Sequence, residues 1–338
     1  MIEEKNYNDR HGEYRSNDAI ANSDLKYLHN PLLFHLNKKG EFQDKPDTKA
    51  QLFGRAFEDM INLSEDEFFQ VYHVENPGIV RPASPAQHNF CNQLVDNEDI
   101  RELDIISAYK NSYTTYNRDK ASSLFEQLED HIKDLKRSRG KTIVPGEDFA
   151  TIDSMLFNFN EHPIIKKHFF GGIYQLMRGY QVITDKPSIF GIRWKGEIDY
   201  ITIHRELKTI YIWDLKTTSS PLGYFHNHVK KYKYYRQLAL YRLLITDQLE
   251  KGEFIKGEND PSGWNIYCRI VACEKIYPYQ TAVIPVPHNV LKIGEKELSE
   301  AAYLIKWYQL NGWDRRKSEV VNENLLIPDW HEVFEKLS

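Results

Sequence analysis

The sequence predicts an α/β protein in which a mixed central sheet is flanked by helices and preceded by a helical N-terminal half. Two observations carry this. Helical periodicity dominates to about residue 170, and from 173 to 218 the chain turns rich in Ile, Tyr, Trp, Val and Thr in polar–apolar alternation. A helix, two strands and a helix then follow, the order expected of a sheet covered by helices. No break in composition divides the chain. The expectation is therefore one domain over 1–338, with a helical part at about 15–170, a sheet core at about 171–290, and a C-terminal helix and tail at 291–338.

The first helix is expected near Leu25 and Leu28, with Ser23 as its cap and Pro31-Leu32-Leu33-Phe34 as apolar anchors. A second spans about 49–63, where Phe53, Phe57, Met60 and Ile61 share one face. Pro77, Gly78, Pro82 and Pro85 mark a loop. Helical pattern runs from about 88 to 138 and again from Pro145 to about Lys167. Three strands are read at about 173–184, 189–203 and 208–217, then one long helix at about 222–250. Strands at about 264–274 and 279–286 and a helix at about 294–310 complete the pattern.

The chain has 338 residues, 41% hydrophobic and 28% charged, as globular proteins do, and its 13% aromatic content argues against disorder. No run reaches the length of a membrane span, and the first residues lack the apolar stretch of a secretory signal. Three cysteines, Cys91, Cys268 and Cys273, are too few for a disulfide framework and fit a reducing cytoplasm. Net charge is −5, mild evidence against a nucleic-acid partner, but a local basic strip can coexist with an acidic total.

Several motifs fail. Gly140-Lys141-Thr142 lacks the upstream glycine of a phosphate loop, since Leu135 stands there. His226 and His228 have no companion ligands nearby in sequence. No nucleophile elbow is present.

The informative stretch is Gly196-Glu197-Ile198-Asp199-Tyr200 followed by Trp213-Asp214-Leu215-Lys216-Thr217-Thr218. A tight turn centred between Glu206 and Leu207 makes these an antiparallel hairpin with Asp199 opposite Asp214. Directly opposed residues share a sheet face with Cβ atoms within about 5.5 Å. Asp214 and Lys216 are two apart, so Lys216 joins them, while Trp213 and Leu215 point to the other face. Two carboxylates this close repel, and a hard divalent cation, Mg²⁺ or Mn²⁺, resolves the conflict. A lysine beside such an ion can orient water or neutralise charge on a phosphate. The competing reading is a surface hairpin with a Glu197–Lys216 ion pair.

Asp199 fifteen residues before Asp214-x-Lys216, in a strand-rich hairpin, resembles the PD-(D/E)XK nuclease superfamily, with Ile198 where a proline usually precedes the first acid. Gln237 and Tyr241, four apart on the following helix, resemble the Gln-x-x-x-Tyr signature of the RecB-like branch, implied to order the site and touch DNA. Gly54-Arg55-Ala56-Phe57-Glu58 resembles that branch's Gly-x-x-x-His helix, with Glu58 in the histidine's place as the implied ligand. Ser23-Asp24-Leu25-Lys26 with Asn30-Pro31, the Gly54 helix, Gly140-Lys141-Thr142-Ile143-Val144, Asp214-x-Lys216 and the Gln237 helix stand in an order similar to the phage RecE family, the exonuclease VIII nuclease domain.

That resemblance implies a Mg²⁺-dependent exonuclease of phage or prophage type. It would degrade linear duplex DNA from 5′ ends, leave 3′ overhangs for recombination, and pass them to a single-strand annealing protein. A ring-shaped homo-oligomer is also implied. Asp199, Asp214, Glu58 and the Leu215 carbonyl are the implied ligand set, and Lys216 the catalytic amine. Lys230, Lys231, Lys233 and Arg236 form a basic strip beside the site, and Tyr232, Tyr234 and Tyr235 interleave with it as candidates for base stacking. Lys133, Lys136, Arg137, Arg139 and Lys141 form a second strip. Two rivals stand beside this reading: a RecB-like endonuclease of repair or defence, and a non-catalytic DNA-binding scaffold on a nuclease fold.

Overall fold

The computed structural model describes residue 14 and residues 17–41, 48–255 and 260–313. They fall into two compact units, one drawn from residues 47–158 and the other from the chain on both sides of it. The polar tail beyond Trp313, with its expected anchors Leu325, Leu326, Trp330 and Phe334, lies outside the described residues.

The chain opens with a 3₁₀ segment, Asn22–Tyr27, and helix α1, Pro31–Lys38. Ser23 does not cap the first segment. The Asp24 carboxylate accepts from the Ala21 N–H at 2.9 Å instead, and Asn30 caps α1 through the Leu33 N–H at 3.2 Å. A carboxylate answers a free helix-start N–H more strongly than a hydroxyl, which accounts for the change of cap.

The unit at 47–158 is mainly helical. Helix α2, Lys49–Asn62, starts at a capping box between Thr48 and Gln51, and α3, Glu65–Val71, at one between Ser64 and Glu67. Of the face read from sequence, Phe53 and Phe57 are buried, while Met60 and Ile61 are half-buried. Two three-residue strands, β1 at Tyr72–Val74 and β2 at Thr142–Val144, pair in parallel, a feature absent from the sequence reading. The expected helical stretch divides into α4, Pro85–Leu94, α5, Glu102–Ser112, and α6, Arg118–Ser138. Phe90, Leu94, Tyr109, Leu128 and Ile132 form their shared core. Helix α7, Gly146–Glu161, follows.

The other unit is built on one five-stranded sheet: β3 at Gln175–Ile183, β4 at Lys195–His204, β5 at Thr209–Thr218, β6 at Asn265–Glu274 and β7 at Thr281–Val286, in that spatial order. Only β5 and β6 run parallel, so the sheet is mixed, as expected. A parallel neighbour needs a crossover, which the intervening helices supply. The expected single helix is two: α8, Phe225–Tyr232, and α9, Tyr234–Glu250, joined by Lys233 in the left-handed conformation at φ 55°. Helix α10, His288–Asn311, begins six residues earlier than read from sequence, directly after Pro287.

Gly294 of α10 sets the approach of α9. A Cβ there would lie 2.8 Å from the Ala239 Cβ and from the Tyr235 carbonyl oxygen. The sheet's core includes Trp194, Ile198, Ile212, Leu238, Leu244 and Ile270. Large apolar side chains buried this fully each contribute roughly 1.5–3 kcal/mol.

Candidate active site

The hairpin has the register read from sequence. The β4–β5 ladder runs from His204↔Thr209 to Tyr200↔Trp213, which sets Asp199 and Asp214 next in line. The ladder stops at that point, and the Asp199 side chain takes over: its Oδ2 accepts from the Leu215 N–H at 2.6 Å. A charge-assisted bond thus replaces a backbone one where the two strands leave the ladder.

Strand alternation then sorts β5. Trp213 is fully buried and donates its indole N–H to Thr202 at 2.9 Å. Asp214 and Lys216 lie on the opposite face, with the ammonium 2.7 Å from Asp214 Oδ1 and 3.3 Å from the Leu215 carbonyl oxygen. Asp214 is 0% exposed and Lys216 20%. The Glu197–Lys216 surface pair is not formed: Glu197 accepts from Gln181 at 3.2 Å.

The electrostatics express this crowding. Burial pushes the Asp199 carboxyl up to about 7, Lys216 draws it back, and Asp214 raises it further. Burial likewise raises Asp214 above the usual carboxylate range, against the pull of Lys216. Burial works to lower the Lys216 ammonium, but the two carboxylates outweigh it and hold it protonated well above neutral pH.

Helix α9 closes the site. Gln237 donates to the Tyr241 hydroxyl at 2.7 Å, so the four-residue spacing does bring the pair together. The Tyr241 phenol is raised well above its ordinary value, first by burial and then by Asp199 and Asp214. Gly196 makes the approach possible, because a Cβ there would meet the Tyr241 ring at 3.0 Å and Leu244 at 2.8 Å. Tyr234 also belongs here: its ring centroid is 5.2 Å from the Lys216 ammonium. Sequence offered Tyr234 only as one aromatic in a basic run, and in the structure it is the first residue of α9, directly after the break at Lys233.

The basic strip is partly committed. Lys233 binds Glu297 at 2.9 Å, and Arg236 bonds Asn22 at 2.8 Å and reaches Glu297 at 3.5 Å. Lys230 and Lys231 are exposed on α8. The second strip is tied into the helical unit: Lys133 to Glu129 at 2.9 Å, Arg139 to Asp96 at 2.5 Å, Lys141 to the Phe69 carbonyl at 2.6 Å, and Lys136 to the Asn97 carbonyl. Glu58 stands half-buried on α2 of that unit. His226 and His228 bond the Gly223 carbonyl at 3.2 Å and Thr218 at 3.4 Å, as ordinary helix-face residues do.

Among the described residues no cluster of three or more His, Cys, Asp or Glu side chains is arranged to hold a metal ion. The oxygen donors of this hairpin nevertheless suit one. Asp214 Oδ2 is buried without a hydrogen-bond partner among the described residues, and burial already raises this carboxyl. A buried carboxylate oxygen in that condition is costly unless a cation or donor meets it. Asp199, Asp214 and the Leu215 carbonyl offer hard oxygens of the kind Mg²⁺ or Mn²⁺ takes.

A mixed sheet with an acid on one strand, Asp-x-Lys on its hairpin partner and a crossover helix over both defines a nuclease-type domain of the PD-(D/E)XK superfamily. The chain belongs to the family described as PDDEXK-like domain of unknown function (DUF3799), whose model matches residues 33–319. Among solved structures it is similar to a "Putative exonuclease" from Eubacterium rectale, at 12% identity and a TM-score of 0.48, over 90% of this chain and 88% of that one. No curated protein matches it. No helix among the described residues is long and apolar enough to cross a membrane.

Proposed function

We propose that this protein is a Mg²⁺-dependent exonuclease that degrades linear duplex DNA from 5′ ends, leaving 3′ overhangs for recombination. The observation that carries the hydrolytic part is the buried Asp214 Oδ2, without a hydrogen-bond partner among the described residues, beside Asp199 and a protonated Lys216. The direction of attack and the recombination role rest on the resemblance of the ordered motifs to the RecE family. An annealing-protein partner and a ring assembly belong to the same resemblance.

In this reading Asp199, Asp214 and the Leu215 carbonyl hold the cation, and Glu58 is assigned as a further ligand by resemblance. The bound ion would supply Lewis-acid activation of water and charge neutralisation at the phosphate. Lys216 serves as a donor to the attacking water or to a phosphate oxygen. Its raised affinity for the proton makes it a poor general base and a lasting positive charge. Asp214 Oδ1 fixes the ammonium, leaving Oδ2 for the cation. Gln237 and Tyr241 hold the wall of the site and contact the strand, and exposed Lys230 and Lys231 draw the backbone in, while Lys233 and Arg236 stay with Glu297.

The test is incubation of purified protein with linear and covalently closed duplex DNA in Mg²⁺ or Mn²⁺, beside Lys216→Ala. Degradation of linear DNA alone, lost in the variant by roughly 10²–10³-fold or more, is the expected result. Cutting of the closed circle makes the protein an endonuclease. Binding without cleavage in either ion makes it a scaffold.

A further inference from the structure

The break at Lys233 rearranges the aromatics beside Lys216. In one continuous helix, residues two apart point away from each other. Here the left-handed Lys233 ends α8 and starts α9, and the rings of Tyr232 and Tyr234 lie 5.7 Å apart at 24° to one another. Tyr234 is also near-parallel to Phe225, at 6.1 Å and 25°. Burial falls along the series, from Phe225 at 1% exposed, through half-buried Tyr234, to Tyr232 at 51%. The series is anchored in the core at one end, passes Lys216 at Tyr234, and opens to solvent at Tyr232.

The polar surroundings match a nucleic-acid strand. The Lys231 ammonium is 5.2 Å from the Tyr232 ring centroid, and exposed Lys230 precedes it on the last turn of α8. His228 meets Tyr232 edge-on at 5.8 Å and 80°. Lys233, a residue with a Cβ held at φ 55°, is pinned by its ion pair with Glu297. A left-handed conformation at such a residue is disfavoured, because its Cβ crowds the following carbonyl oxygen. An exposed aromatic flanked by cations stacks bases with little regard to sequence.

We propose that Tyr232 is a stacking shelf for an unpaired base of the DNA strand held at Lys216, so that the nucleotide presented for cleavage is flanked by a base lifted out of the duplex. This rests on the nuclease reading and deepens it: the linear duplex is engaged at a frayed end, whose unpaired base the shelf takes. Tyr234 positions the shelf against Lys216, and Lys230 and Lys231 take the adjoining phosphates.

The test uses full-length protein in EDTA, so that Lys216 is kept and DNA stays uncut. Single-stranded oligonucleotides carrying 2-aminopurine at each position in turn are titrated by fluorescence, with a blunt duplex of the same sequence as reference. The parent is expected to quench 2-aminopurine at one or two positions. Tyr232→Ala is expected to abolish that quenching and weaken single-strand binding roughly tenfold. Tyr232→Phe should restore both, since stacking needs the ring and not the hydroxyl. Equal thermal melting of the three proteins separates the effect from folding. A Tyr232→Ala protein that binds and quenches like its parent overturns the shelf and leaves the nuclease reading standing. Failure of Tyr232→Phe to rescue also overturns it. A parent that binds no DNA overturns the nuclease reading and the shelf together.

Discussion

The two faces of β5 bury their side chains on opposite terms. On one, Trp213 is fully buried, bonds Thr202, and packs edge-on against Phe169 at 5.3 Å, with the Arg269 guanidinium 4.9 Å from its ring. Its one polar group is satisfied and its ring is surrounded. On the other face, Asp214 is as deeply buried, yet one of its oxygens has no hydrogen-bond partner among the described residues. One strand therefore joins a face that stabilises the fold to one that weakens it and is proposed to carry the chemistry. The division needs only the two-residue period of a strand.

Breaking the apolar face should have the largest effect on stability. Trp213→Ala is expected to cost about 3–5 kcal/mol, read from urea melts, through lost burial and the cavity left behind. Lys216→Ala, on the opposite face, is expected to leave a folded protein that no longer cleaves. If both variants unfold alike, the contrast between the faces fails.

Acidity sharpens the comparison. Asp199 holds its proton up to about 7 in the folded chain, against an ordinary 3.8. The folded state therefore binds the proton more tightly than the unfolded one. This contribution to stability is present at low pH and is lost as pH rises through the window from 3.8 to about 7. The melting temperature of the metal-free protein should fall across that window by this contribution. Asp199→Asn, which keeps an acceptor for the Leu215 N–H, should flatten the fall, and Mg²⁺ should raise the melting temperature of the wild type more at pH 8 than at pH 5. An equal Mg²⁺ effect at both values counts against Asp199 as a ligand, and an unchanged slope in the variant counts against its raised proton affinity.

The smallest effect belongs to the helix wall. Tyr241→Phe removes one hydrogen bond from Gln237 and should cost about 0.5–1.5 kcal/mol in stability by thermal or urea melting. A larger loss would show that the hydroxyl meets more than Gln237.

The hairpin was legible because its turn lies between two strongly alternating segments, and the turn centre fixes every pair. Gln237 and Tyr241 were legible because helical spacing brings them together wherever the helix lies. The β1–β2 pair was not, since two three-residue strands far apart in a helical stretch leave no period to detect. The fate of Lys133 to Lys141 was hidden for another reason. A run of cations looks the same in sequence whether it awaits a phosphate or is matched to Glu129, Asp96 and backbone carbonyls, as it is here.

Sequence by itself determined the strand alternation, the hairpin register and the acid-acid-lysine set, because these follow from local periods and one turn. Tertiary structure decided the rest. Packing of α9 onto Gly196 and Gly294 brings Tyr241 to the carboxylates, and Lys233, ion-paired to Glu297, adopts a conformation that local preference disfavours. Burial, a property of the whole sheet and its covering helices, turns two ordinary aspartates into groups that hold their protons unusually tightly.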